Sequence, residues 1–124
     1  MPAAPLVAII DDDESLRLAL VGLVRSLGYE SSGFATAEEF LSSGAIDVSS
    51  CVVTDIQMPG MSGIELKHHL AQHNIMMPVV MITARPDPTL EEKARAAGAV
   101  GFLKKPFEAS ALIACLDDAV GGVP

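Results

Sequence analysis

Three features of the sequence predict an α/β fold, with one mostly parallel five-stranded sheet carrying helices on both faces. Strand-like and helix-like stretches alternate five times along the chain. Several of the strand-like stretches are unbroken apolar runs, as strands buried on both faces require. At 124 residues, half of them apolar, the chain suits one sizeable core and leaves no room within these residues for a separate output domain.

The elements follow in order. Leu6-Val7-Ala8-Ile9-Ile10 reads as the first strand. Leu16, Ala19, Leu20, Leu23, Val24 and Leu27 recur at helical spacing, and Gly28 stands where a helix stops. Residues 29–34 are more polar and read as a short edge strand. Thr36-Ala37-Glu38-Glu39 has capping-box spacing and opens a short helix through Phe40 and Leu41. Cys51-Val52-Val53-Thr54 is the third strand and ends at Asp55. Met58-Pro59-Gly60-Met61 is a loop by its Pro-Gly pair. Ser62-Gly63-Ile64-Glu65 is a second capping box and opens a helix to about His73. Pro78-Val79-Val80-Met81-Ile82 is the fourth strand. Pro86 and Pro88 delay the next helix, which starts near Pro88 and runs to Ala97 before Gly98. Gly101-Phe102-Leu103-Lys104 is the fifth strand, and the last helix runs from Glu108 to about Val120. Residues 1–120 therefore read as one domain, and 121–124 as a tail or the start of a linker.

Such alternation implies right-handed crossovers between parallel strands. A flavodoxin-like, doubly wound (βα)5 sheet of order 2-1-3-4-5 is the expected arrangement, and it sets strands 1 and 3 side by side.

Charge and composition narrow the function. The net charge of −8 disfavours direct binding of nucleic acid or an anionic membrane, both of which need a basic face. No apolar run approaches the roughly 18 residues of a membrane span. The start of the chain lacks the basic residues of a secretory signal. Cys51 and Cys115 show no pattern, so a reduced, cytoplasmic protein is expected, with both thiols as small packing groups.

In a sheet of this kind ligands gather at the carboxyl ends of the strands. Strand 1 ends in Asp11-Asp12-Asp13, strand 3 in Asp55, strand 4 in Thr83 and strand 5 in Lys105-Pro106. Carboxylates crowded at one edge repel each other, and a divalent cation relieves the repulsion. Few carboxylates supplemented by water and phosphate oxygens suit Mg2+. Lys105 adds a compact cation and Thr83 a hydroxyl donor. Together they form a cradle for a tetrahedral dianion, with one carboxylate left as nucleophile. Taken alone, the three leading acids could be no more than a helix N-terminus that favours negative charge, and Asp13 reads mainly as a cap. His68, His69 and His73 share one helix, but only the 69/73 pair has i, i+4 spacing and it lacks a third ligand, so they read as solvated histidines.

Ile9-Ile10-Asp11-Asp12-Asp13, the block from Val53 through Asp55, Met58-Pro59-Gly60-Met61 to Gly63, Met81-Ile82-Thr83-Ala84, and the block from Ala97 to Phe107 resemble the receiver domain of two-component response regulators. The likeness covers essentially the whole chain, in order. Residues 28–41 further resemble receivers joined to LuxR-type helix-turn-helix output domains. The resemblance implies that Asp55 is the phosphoacceptor and that Asp12 ligates Mg2+ directly. Asp11 would act mostly through a metal-bound water, and Gln57 would lend the metal its backbone carbonyl. Thr83 and Lys105 would hold phosphoryl oxygens, Lys104 would have no role, and the Lys105-Pro106 bond would be cis. The implied partner is a sensor histidine kinase, whose phosphohistidine supplies the phosphoryl group. Slower hydrolysis of the acyl phosphate would reset the domain, making it a self-phosphorylating, self-dephosphorylating switch and not an enzyme. Thr83 and the aromatic Phe102 would form the switch, reshaping the surface of helix 4, strand 5 and helix 5 to control an output, expected to be transcription. A C-terminal DNA-binding output domain and a phosphorylation-dependent homodimer are further candidate partners.

Two departures carry expectations. Phe102 lacks a hydroxyl, so packing alone would hold it inward, and the Arg85-Pro86-Asp87-Pro88 loop leaves the length and mobility of helix 4 open. Gln57 and Arg85 flank the site where attacking water would be gated. Two rival functions remain: a Mg2+-dependent phosphohydrolase acting through an aspartyl phosphate, and a phosphorylation-incompetent docking module. The first lacks an acid two residues after Asp55 and an insertion long enough for a cap; the second sits poorly with the intact acids, Thr83 and Lys105. A flavodoxin-type cofactor binder would need a Gly- or Ser/Thr-rich phosphate loop after strand 1, which is missing.

Overall fold

A computed structural model describes residues 4–85 and 87–121. The sheet contains β1 (Leu6–Ile10), β2 (Glu30–Phe34), β3 (Ser49–Asp55), β4 (Val79–Thr83) and β5 (Gly101–Lys104). All pairings are parallel and the order is 2-1-3-4-5, as expected. The helices are α1 (Glu14–Ser26), α2 (Ala37–Ser42), α3 (Gly63–Gln72), α4 (Pro88–Ala97) and α5 (Ala109–Leu116).

Alternation along the strands builds a core on each face of the sheet. Val7, Ile9, Cys51, Val53, Val80 and Ile82 pack against α1 and α5 through Leu20, Val24, Leu112 and Leu116. Ala8, Ile10, Val52, Val79 and Met81 point the other way, onto Phe40 of α2, Leu66 and Leu70 of α3 and Ala94 of α4. This two-sided burial explains why the central strands are apolar without a break, while the polar β2 lies at the sheet edge.

The helix boundaries follow their caps. Asp13 accepts the Leu16 N–H at 3.2 Å and starts α1. Ser62 and Glu65 form the full reciprocal box at the start of α3, with bonds of 3.1 and 2.9 Å. At α2 only the Thr36 half forms among the described residues, with the Glu39 N–H donating at 3.0 Å. Asp87 accepts the Thr89 N–H at 2.7 Å and Pro88 takes the first helical position, so the proline-rich loop shapes the start of α4 without shortening it. The left-handed Gly98, φ 104°, ends α4.

Two boundaries differ from expectation by more than a residue or so, and one short element was not expected. β3 begins two residues early, at Ser49, because Leu6 pairs with Ser49 across an irregular register. A short 3₁₀ turn, Ala45–Asp47, precedes it. The last helix stops being α-helical at Leu116 and loosens into a π turn over Asp117–Gly121. Residues 122–124, read as tail or linker, lie outside the described residues.

Gly22 lies inside α1 with nothing within 4 Å of where a Cβ would sit. Gly22→Ala is expected to raise stability by about 0.5–1 kcal/mol in a thermal or urea melt, since alanine has less backbone entropy to lose in a helix.

Candidate functional site

The carboxyl ends of β1, β3, β4 and β5 meet at one edge and bring the expected residues together. Asp11 follows β1 and is held on several sides. Its N–H extends the ladder to Phe34 O at 3.1 Å, and its Oδ1 accepts the Asp13 N–H at 2.9 Å. The Arg17 guanidinium donates to the Asp11 carbonyl at 2.8 Å. The Asp11 side chain is buried and that of Asp12 is exposed. Asp55 ends β3 and is 7% exposed. One carboxylate oxygen from each of Asp11, Asp12 and Asp55 lies within 4.8 Å of the other two, a group that could hold a metal ion.

Lys105 bridges this cluster. Its ammonium donates to Asp11 Oδ2 at 3.2 Å and to Asp55 Oδ2 at 3.1 Å. It is set there by its own N–H, which donates to the Thr83 carbonyl at 2.8 Å, and the following bond to Pro106 is cis. Burial works against the lysine's charge, but the Asp55 hydrogen bond and the charges of Asp55 and Asp11 outweigh it and push the ammonium pKa up. For Asp55 the balance also ends upward. Burial is the largest cause, Lys105 opposes it, and Asp11 and Asp12 add to the rise.

Asp55 Oδ1 is the one buried side-chain oxygen or nitrogen among the described residues without a hydrogen-bond partner. An unpaired buried acceptor is costly, and it marks where a ligand would bond. A cation fits this donor set of three carboxylates beside a single lysine.

Thr83 ends β4, wholly buried. Its hydroxyl donates to Gln57 Oε1 at 2.8 Å and accepts the Arg85 N–H at 3.0 Å. Arg85 and Lys104 are exposed. Phe102 is half-buried, packed on the α2–α3–α4 side of the sheet. His69 and His73 stack with ring centres 4.3 Å apart, and His73 Nδ1 lies 2.8 Å from the His69 carbonyl. Neither belongs to a group of three or more metal-ligating side chains among the described residues. The thiols of Cys51 and Cys115 are free, and burial pushes Cys51 up to about 12, so it is an unreactive packing group.

Sequence reading missed two contacts. The Gln57–Thr83 bond is one. The other is Glu38, in the first turn of α2, which accepts the Met61 N–H at 2.9 Å and ties α2 to the loop after β3. Gly60 serves this contact, with φ 76° and space for a Cβ taken by the Glu38 carboxylate 2.6 Å away. No local pattern marks such a bond, because its partners come from different βα units.

The fold is a doubly wound sheet with three acids and a bridging lysine at its carboxyl edge, and the chain matches the response regulator receiver domain family over residues 7–117. It belongs to that family, whose members are signalling switches within two-component systems. Nodulation protein W of Bradyrhizobium diazoefficiens is 41% identical over 108 residues, covering 87% of this chain and 48% of its own length. The transcriptional regulatory protein FixJ of Azorhizobium caulinodans is 37% identical over 121 residues, 98% of this chain and 57% of the relative. The chain thus spans about half the length of these curated relatives. Among solved structures, FixJ-N superposes with a TM-score of 0.87 at 35% identity, covering all of this chain and 98% of the other. The response regulator StyR gives 0.87 at 41% identity, covering 96% of this chain and 60% of the other.

Proposed function

We propose that Asp55 accepts a phosphoryl group from a phosphohistidine of a sensor histidine kinase, and that the product controls an output, transcription in the first instance. The observation that carries this is the unpaired Asp55 Oδ1, buried in a cluster of three carboxylates with Lys105 on the other oxygen. Oδ1 has a lone pair free to attack phosphorus in line; the P–N bond breaks and its electrons stay on the imidazole. Lys105 and Thr83 take two of the phosphoryl oxygens. Asp11, Asp12, Asp55 and the Gln57 carbonyl would hold Mg2+, which supplies neutralisation of the phosphoryl charge. Water later attacks phosphorus, releasing phosphate and restoring the carboxylate. Gln57 and Arg85, beside that path, slow it by their bulk; Gln57→Ala and Arg85→Ala are expected to shorten the life of the acyl phosphate, and unchanged rates would refute the gate.

The switch would run through Thr83 and Phe102 to the surface of α4, β5 and α5, where a phosphorylation-dependent homodimer would form. A DNA-binding output is supported by the similarity to FixJ, a transcriptional regulatory protein, and by relatives about twice this length. A cytoplasmic setting is consistent with the two free thiols. Among the described residues no helix is long and apolar enough to cross a membrane. An apolar groove lined by Leu16, Ala19, Leu20, Leu23, Pro106 and Phe107 lies beside Lys105.

The test is incubation with acetyl phosphate and Mg2+, followed by intact-mass and peptide mapping. One phosphoryl group on the peptide bearing Asp55 is expected. Sustained turnover of a phosphate ester would favour a phosphohydrolase, and no uptake together with no response to beryllofluoride would favour a docking module. Mg2+ alone is expected to raise stability, by about 1.4 kcal/mol at ten times its Kd. Asp12→Asn should remove most of that gain in a thermal melt.

A further inference from the structure

Gln57 is an exposed residue whose side-chain tip is nevertheless engaged. Its Oε1 accepts the Thr83 hydroxyl proton at 2.8 Å. A threonine hydroxyl has a single O–H to donate, and Thr83 is wholly buried, with water kept from it. The Thr83 hydroxyl oxygen in turn accepts the Arg85 N–H at 3.0 Å. Thr83 is thus satisfied in both directions by residues that are neither Asp55 nor Lys105. A phosphoryl oxygen on Asp55 can recruit this hydroxyl only by taking its proton away from the Gln57 carboxamide. Resting on the reading of Asp55 as phosphoacceptor, we infer that Gln57 is a positioning residue for the switch: its carboxamide oxygen latches Thr83 in the resting arrangement, and its strength as an acceptor sets how readily phosphorylation moves Thr83.

The exchange runs the right way. The amide oxygen is a neutral acceptor, whereas a phosphoryl oxygen is charged and bonds about twice as strongly. The hydroxyl therefore transfers to the phosphoryl group, but the interaction that drives switching is the difference between the two bonds and not the whole of the second. Removing the resting acceptor leaves a buried hydroxyl unsatisfied only in the resting state, which shifts the population towards the switched one.

Beryllofluoride with Mg2+ is the probe, because it mimics the phosphoryl group and does not turn over, so any gating of water by Gln57 drops out. Gln57→Met keeps the side chain's length and loses its acceptor. Relative to the native chain, Gln57→Met is expected to bind the probe roughly five-fold more tightly, the factor for one net hydrogen bond. Without any ligand, its Thr83 methyl NMR signal should move towards the position seen in the native complex. In a Thr83→Ala background the same substitution should leave the affinity unchanged, as a double-mutant cycle demands if Gln57 acts through the hydroxyl. Equal affinities of the Gln57→Met and native chains would overturn the latch. So would an equal change in both backgrounds, which would assign Gln57's effect to the metal or to packing. Failure of the native chain to bind the probe would overturn the phosphoacceptor reading itself, and the latch with it.

Discussion

Asp55→Asn is expected to give a folded domain that takes up no phosphoryl group from acetyl phosphate and melts at a higher temperature than the native chain. The loss of uptake follows from chemistry: an amide nitrogen or oxygen at that position is a poor nucleophile, and Asp11 already uses its Oδ1 on the Asp13 N–H and its Oδ2 on Lys105. The gain in stability follows from the electrostatics. Burial, first, and the charges of Asp11 and Asp12 push the Asp55 carboxyl pKa up against the pull of Lys105. An acid whose folded pKa is raised holds its proton longer in the folded state. Its contribution is therefore most favourable below the unfolded aspartate value of about 3.9 and is lost as pH rises through the raised folded value. At neutral pH the ligand-free native domain carries that penalty in full, and asparagine carries none. Lys105 keeps a partner in Asp11 after the substitution. A gain of about 1 kcal/mol, or roughly 4 °C, is expected near pH 7. The difference between the two chains should shrink on acidification. A mutant no more stable than the native chain would mean that the Lys105 pairing outweighs the burial of Asp55. A phosphorylated mutant would mean that another residue is the acceptor.

Gly63→Ala is expected to cost about 2 kcal/mol in stability and to weaken Mg2+ binding with it. Gly63 opens α3, and its N–H donates to Ile56 O at 3.1 Å. A Cβ there would lie 2.6 Å from the Asp55 carbonyl oxygen, 3.0 Å from Thr54 Cγ2 and 3.3 Å from Ile56 Cα. Two of these are backbone atoms of the strand that ends in Asp55 or of its immediate continuation, and backbone cannot swing aside. The start of α3 has to lift from the end of β3, a small-to-large change of the kind that costs roughly 1–3 kcal/mol. Gly63 is absent from the positive-φ glycines, so the constraint is contact and not torsion. A urea melt measures the loss, and a titration with Mg2+ reads whether Asp55 moved with it. A mutant of native stability would mean that the two elements slide apart without cost.

The site's polar groups were legible because each stands at the end of a stretch with a clear local signature. Asp11 closes an apolar run, Asp55 closes another, Thr83 a third, and Lys105 precedes the proline after the fifth. Once parallel strands were inferred, these ends had to share an edge. The caps at Asp13 and Ser62 were equally readable, since capping is settled within three residues. The misjudged boundaries were those with no local marker. β3 is extended by pairing with β1, and α5 loosens into a π turn over Asp117–Gly121.

The order of strand and helix, the two-sided core and the polar groups at the strand ends were thus contained in hydrophobic period, turn residues and the chemistry of a few side chains, all of which act over short distances along the chain. Which oxygen of Asp55 stays unpaired, that Lys105 spans two acids, and that Gln57 rather than Asp55 holds the Thr83 hydroxyl were decided only by folding. Those contacts join residues on separate strands or the loops that follow them, and inter-strand register, with Asp55 beside Ile82 and Thr83 beside Lys104, sets their distances to within a few tenths of an ångström. Hydrogen bonds switch on or off over that range, while local sequence patterns do not vary with it.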